Sequence, residues 1–107
     1  MSKSKQGFFE EVYNIVSQIP EGSVITYGMI ASMLGNPRAS RIVGYAMHDA
    51  PPNRSLPCHR VVNKQGRLSP DSIFGAGNQR DLLEKEGVAF NEDGCIDMDK
   101  HLIKWDL

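Results

Sequence analysis

Cysteine is scarce in this 107-residue chain: Cys58 and Cys95 are the only two. They form no CxxC pair, which excludes a disulfide framework. Together with His48, His59 and His101 they show no recognised metal-ligand spacing, so no metal and no cofactor is expected. No apolar run approaches the roughly 20 residues that cross a bilayer, which argues against a membrane protein. The opening MSKSKQG has no apolar stretch behind its lysines, which argues against a secretory signal and for a cytoplasmic or nuclear location. Repeats and low-complexity tracts are missing too. A length of 107 residues then reads as one domain, residues 1–107, large enough to fold around its own core.

Excess charge is also missing, since the net charge is −1. Its distribution is uneven. Between residues 36 and 80 the chain carries Arg38, Arg41, Arg54, Arg60, Lys64, Arg67 and Arg80 against only Asp49 and Asp71. The last third is acidic. A basic centre of this kind suits a phosphate-binding face; chance clustering on a solvated surface produces the same pattern.

Periodicity predicts a first helix over Phe8–Ile19, with Phe8, Phe9, Val12, Val16 and Ile19 turned to a core. Thr26 reads as the N-cap of a helix over Tyr27–Leu34 that Gly35 stops. Asn36 and Pro37 suit the N-cap and first position of a third helix reaching His48 or Asp49. Ala39, Ile42, Val43, Ala46 and Met47 form its apolar stripe, while Arg38, Arg41, Tyr45 and His48 share the other face. Gly44 thins that second face. A mid-helix glycine costs roughly 1 kcal/mol against alanine, and either a ligand's close approach or a tight helix crossing justifies it. Arg60–Asn63, Lys64–Gly66 and Arg67–Ser69 read as strand, turn and strand. The whole is a mainly α fold: a winged helix-turn-helix with a small β-hairpin wing carrying Lys64 and Arg67. A loop over 70–77 and a last helix over Gln79–Glu86 follow, with Leu82 and Leu83 as core residues. A turn at Asn91–Gly94 and an amphipathic end through Trp105 complete the chain.

The chemistry concentrates at Pro57-Cys58-His59-Arg60. An ordinary thiol is mostly protonated at neutral pH, and a neighbouring base or positive field makes it a nucleophile. His59 is adjacent, but neighbours on an extended chain point apart, so their cooperation requires a turn. Glu84 or Glu86 can supply a carboxylate to orient the imidazole. A lone cysteine more often serves as a small buried hydrophobe, and the Cys-His pair by itself leaves both readings open.

PCHRVV at Pro57–Val62 resembles the acceptor motif of the O6-alkylguanine-DNA alkyltransferases. TYGMIASMLGNPRASRIVGYAMHDAP resembles their helix-turn-helix, and RDLLEKEG at Arg80–Gly87 their last helix. The similarity runs from about Phe8 to Gly87 and corresponds to the family's C-terminal, DNA-binding and active-site domain; the family's N-terminal domain has no counterpart. It implies that Cys58 takes the alkyl group irreversibly, that a proton passes between His59 and Cys58 through a water, and that Glu86 orients His59. It further implies that Tyr27 rotates the target nucleotide, Arg41 fills the vacated stack, and the helix at 37–48 reads the minor groove. Arg38, Gly44, Tyr45, Arg60, Lys64 and Arg67 complete the expected DNA-facing set. The partner is duplex DNA containing O6-alkylguanine, met by a monomer at the nucleoid in a bacterium or in the nucleus of a eukaryote. Extrusion of the base is a physical need, because O6 lies inside the duplex.

Two positions depart from the active transferases. Their usual asparagine eight residues before the acceptor is Ala50 here, and their tyrosine-bearing guanine loop is Ser69–Gly77 without tyrosine. In its short single domain, in the GRLS at Gly66–Ser69 and in the tail ending near Lys104-Trp105, the chain is more similar to the alkyltransferase-like proteins. Those usually carry tryptophan at the acceptor position, flip the lesion without repairing it and hand it to nucleotide excision repair proteins. The expected function is therefore suicidal alkyl transfer to Cys58, with a non-catalytic base-flipping sensor as the alternative. A plain winged-helix regulator, indifferent to lesions, is the third reading and conflicts with the PCHR motif.

Overall fold

The computed structural model describes residues 5–68 and 78–105. The expected loop at 69–77 lies outside the described residues. Helix α1 spans Lys5–Val16. Bonds from Gln18 N to Ile15 O (3.1 Å) and from Ile19 N to Val16 O (3.2 Å) then carry the chain in a tighter spiral to Pro20. Phe9, Val12, Tyr13, Ile15, Val16 and Ile19 are buried, each such side chain contributing about 1.5–3 kcal/mol by leaving water.

Strand β1, Ile25–Thr26, leads directly into α2, Tyr27–Met33. The Thr26 hydroxyl accepts the Met29 N–H at 3.1 Å, as the capping pattern requires. A turn at 34–39 connects to α3, Ser40–His48, which packs on α1 and α2. Asn36-Pro37 does not start this helix. Asn36 O instead accepts the Ala39 N–H at 2.9 Å, closing one turn before the helix begins at Ser40. The apolar stripe is also narrower than expected, because Ile42 is exposed while Ala39, Val43, Ala46 and Met47 are buried.

Short 3₁₀ turns at Pro52–Arg54 and Cys58–Arg60 precede strand β2, Val61–Val62. Of the expected hairpin, Arg67 and Leu68 carry no strand, Ser69 lies outside the described residues, and the Asn63 N–H reaches Arg67 O at 3.5 Å across the turn. Within the described residues β2 pairs in parallel with β1, Ile25 opposite Val61 and Thr26 opposite Val62. Both valines are fully buried, whereas a wing strand with one wet face would alternate. The turn after β2 does form: Asn63 Oδ1 accepts the Gln65 and Arg67 N–H groups at 3.0 and 2.8 Å.

Helix α4 spans Asn78–Lys85 and α5 spans Met98–His101. Leu83 is buried, but Leu82, expected beside it in the core, is exposed. The segment after α4 folds back as an Asn91–Gly94 turn bridging Phe90 to Ile96, and then docks along β1, Val24 opposite Leu102. His101 fastens this tail. Its Nδ1–H donates to Gly22 O (2.9 Å) and its Nε2 accepts the Ala89 N–H (2.8 Å), which fixes the neutral tautomer. No helix among the described residues is long and apolar enough to cross a membrane.

Gly66 joins the turn after β2 to this tail: its carbonyl accepts the Ile96 N–H at 2.9 Å. Its φ is +79°, and a Cβ there would stand 2.9 Å from Ile96 O and 3.0 Å from the Met98 side chain. Gly66→Ala is expected to cost about 2–4 kcal/mol, from left-handed strain plus overpacking. Urea unfolding checks this; a change within about 0.5 kcal/mol, the range of neutral surface substitutions, would contradict it.

Candidate active site

The 3₁₀ turn at Cys58–Arg60 is the local geometry that the Cys-His pair requires, and it is built from both sides. Leu56 O accepts the Cys58 N–H at 2.8 Å and Pro57 O accepts the Arg60 N–H at 3.0 Å. From α4, Gln79 Nε2 donates to His59 O (3.1 Å) and Val61 O (3.4 Å). Gln79 is itself buried, and sequence reasoning passed over it. The signal was there: Gln79, Leu83 and Glu86 follow at offsets of 4 and 3, one inward face of a helix.

Glu86 stands one residue beyond α4, its N–H bonded to Leu83 O at 3.0 Å. Its carboxylate serves two partners. Oε2 meets His59 Nε2 at 2.9 Å. Arg60 grips both oxygens, Nε to Oε1 at 2.9 Å and Nη2 to Oε2 at 2.5 Å. The third arm of Arg60 donates to Ile19 O at 2.6 Å, tying the site to the end of the first helical segment. All three side chains are nearly enclosed, 14%, 13% and 12% exposed for His59, Glu86 and Arg60. Hydrogen bonds from Arg60 first, then from His59, hold the Glu86 carboxyl below its ordinary range despite its burial. The same bond to Glu86 raises the Arg60 guanidinium.

Arg60 was expected among the DNA-facing residues and is not with them. Its guanidinium is turned inward because Glu86 and the Ile19 carbonyl satisfy it there. The remaining basic and aromatic candidates lie elsewhere. Arg41, Tyr45 and His48 are exposed along one face of α3, with Arg38 exposed in the turn before it. Lys64 and Arg67 are exposed in the turn after β2, and Tyr27 is half-buried at the start of α2. A Cβ built on Gly44 meets nothing within 4 Å, so a tight helix crossing does not explain this glycine.

Cys58 is half-buried against the main core, on which Ala50 and Leu56 also pack. Burial pushes its thiol above the ordinary value, opposed by its own backbone N–H. The ionised Glu86 carboxylate accepts the proton of His59 Nε2, which leaves Nδ1 as the ring nitrogen outside this pair.

Residues 7–88 match the family described as 6-O-methylguanine DNA methyltransferase, DNA binding domain. The chain is 40% identical over 102 residues to the DNA base-flipping protein of Escherichia coli, covering 92% of this chain and 76% of that protein. It is 45% identical over 80 residues to the methylated-DNA–protein-cysteine methyltransferase of Methanosarcina acetivorans, covering 75% of this chain and 51% of that protein. In structure it superposes on the S. pombe Atl1 protein, solved with damaged DNA containing O6-carboxymethylguanine, with a TM-score of 0.81 at 35% identity. That match covers 97% of this chain and 100% of the other. The chain is thus a member of the 6-O-methylguanine DNA methyltransferase family.

Proposed function

We propose that this protein binds duplex DNA through the minor groove, rotates O6-alkylguanine out of the stack and takes the alkyl group onto Cys58. The observation that carries this reading is the turn of Cys58–Arg60, whose second and third side chains are both held by the Glu86 carboxylate. In the transfer the Cys58 sulfur attacks the alkyl carbon. An S–C bond forms, the C–O6 bond breaks, and its electron pair goes to the guanine. The thiol proton, passed through a water to His59 Nδ1 and on to the leaving base, leaves restored guanine and a neutral thioether. His59 is suited to this because Glu86 occupies its other nitrogen. A thioether has no leaving route, so each protein acts once and no cofactor takes part.

Glu86 is an orienting group in this scheme, and Tyr27 and Arg41 work on the DNA. Tyr27 presses on the target nucleotide, and Arg41 fills its place in the stack. Arg38, Lys64 and Arg67 contact phosphates. Gly44 and Tyr45 belong to the surface of α3 that enters the groove, where a glycine lets the helix sit close.

Two observations favour a second reading, the non-catalytic sensor that recruits nucleotide excision repair. Burial raises the Cys58 thiol, the opposite of activation, and Ala50 stands where active transferases carry asparagine. Incubation with O6-methylguanine duplex, followed by intact and peptide mass, separates the two. The transfer reading expects the mass of one methylene added to the Cys58 peptide. Lesion-selective binding with unmodified Cys58 is the sensor's result, and unmodified Cys58 together with equal affinity for undamaged DNA would remove both.

A further inference from the structure

Residues 50–57 carry the chain from the end of α3 to Cys58; Ala50 and Leu56 pack against the core, but few backbone hydrogen bonds hold the stretch between them. Pro51, Pro52 and Pro57 lack backbone donors. Arg54 N–H reaches Pro51 O at 3.1 Å and Ser55 N–H reaches Pro52 O at 3.3 Å. Ser55 sits in the left-handed region at φ 51°, ψ 41°, an uncommon conformation for a residue with a side chain. Pro52 to Ser55 are exposed. Ala50 has no polar side chain with which to anchor the segment.

Arg54 supplies an anchor. Its Nη1 donates to both oxygens of Glu10 on α1, each at 2.9 Å. The guanidinium lies 5.3 Å from the centre of the Tyr13 ring, within cation–π range. Tyr13 is buried against Phe9, and its hydroxyl donates to Ala46 O in α3 at 2.9 Å. One side chain thus reaches from the segment to α1, at the point where α1 is bonded to the helix from which the segment departs. A role as a phosphate ligand fits less well, because Glu10 already matches the charge of Arg54 and would repel a phosphate.

We infer that Arg54 is a positioning residue: clamped by Glu10 and Tyr13, it fixes residues 51–57 against α1 and so sets where Cys58 stands. Cys58 is reactive in the function proposed above, but the placement of its thiol is a property of the free protein and is tested without DNA. The probe is iodoacetamide, applied to the full chain across a pH series, with labelling of Cys58 and Cys95 read separately by peptide mass. Cys95 lies in the tail turn and reports general loosening.

Arg54→Ala and Glu10→Ala are each expected to label Cys58 up to about fivefold faster, equivalent to about 1 kcal/mol, the most that so exposed a pair supports. The midpoint of the Cys58 pH profile should move down toward that of an ordinary thiol as the segment loosens, while Cys95 labelling stays the same. Exchanging the charges, Glu10→Arg with Arg54→Glu, should restore the slower rate. An unchanged Cys58 rate, an equal rise at both cysteines, or no restoration by the exchange would each overturn the assignment. The first of these together with weaker DNA binding would make Arg54 a phosphate contact instead.

Discussion

Glu86→Ala is expected to destabilise the folded protein by about 3 kcal/mol or more, the scale for removing one partner of an enclosed ion pair. The loss exceeds that of an ordinary salt bridge because two groups depend on one carboxylate. Arg60 would keep its bond to the Ile19 carbonyl but lose both charge-assisted bonds, and it is only 12% exposed. His59 would lose the acceptor that fixes its ring. Urea unfolding at pH 7 measures the effect, and a loss below about 1 kcal/mol would show that the knot contributes no more than a surface pair.

The pH dependence of the same group has a definite sign. The folded Glu86 carboxyl lies below its ordinary value of 4.5. Its stabilisation is therefore complete above that value and is lost as pH falls through the lower, folded one. Glu86→Gln, which keeps the shape and discards the charge, should be less stable at pH 7 and should lose this share of the acid sensitivity. Comparing wild type and Glu86→Gln at pH 7 and pH 3 reads it. Parallel losses in the two proteins would assign the acid sensitivity to other carboxylates.

Much of this knot was legible beforehand, and what was hidden has a common physical cause. The capping oxygen of Thr26 and the inward faces of α1 and α3 follow from local spacing, and the structure places them as expected apart from Ile42. The pairing of His59 with Glu86 became readable through the resemblance, because periodicity alone could not choose between Glu84 and Glu86. Arg60 was misdirected because an arginine in a basic stretch looks like a phosphate ligand. Its inward turn depends on partners 26 and 41 residues away, which no local pattern shows. The parallel partner of Val61-Val62 was missed likewise. Two consecutive buried valines already signal a strand enclosed on both faces, but the partner lies before α2. Asn36-Pro37 shows local propensity being overridden: the pair suits a helix start, yet it lies in the turn that connects α2 to α3. The docking of the tail on β1 through His101 had no sequence signal at all, since one histidine bonded to two distant backbone groups leaves no periodic trace.

Arg41→Ala should weaken binding to O6-methylguanine duplex by about tenfold to a hundredfold, or about 1–3 kcal/mol, on the reading that Arg41 replaces the flipped base in the stack. Extrusion costs a few kcal/mol of lost stacking and pairing, and an intercalated guanidinium returns part of it. Undamaged duplex, whose bases remain stacked, should lose much less. Arg38→Ala provides the contrast. Arg38 is exposed in the turn before α3, and its proposed contact is with phosphate. Its removal should weaken both duplexes by a similar factor and reduce the slope of log affinity against log salt by about 1, one phosphate's share of counterion release. The two substitutions remove the same charge a few residues apart, so net electrostatics predicts the same result for both. A difference between them in lesion preference therefore reports stacking rather than charge. Equal losses on both duplexes from Arg41→Ala would place it with Arg38 as a phosphate contact, and another side chain would have to fill the gap.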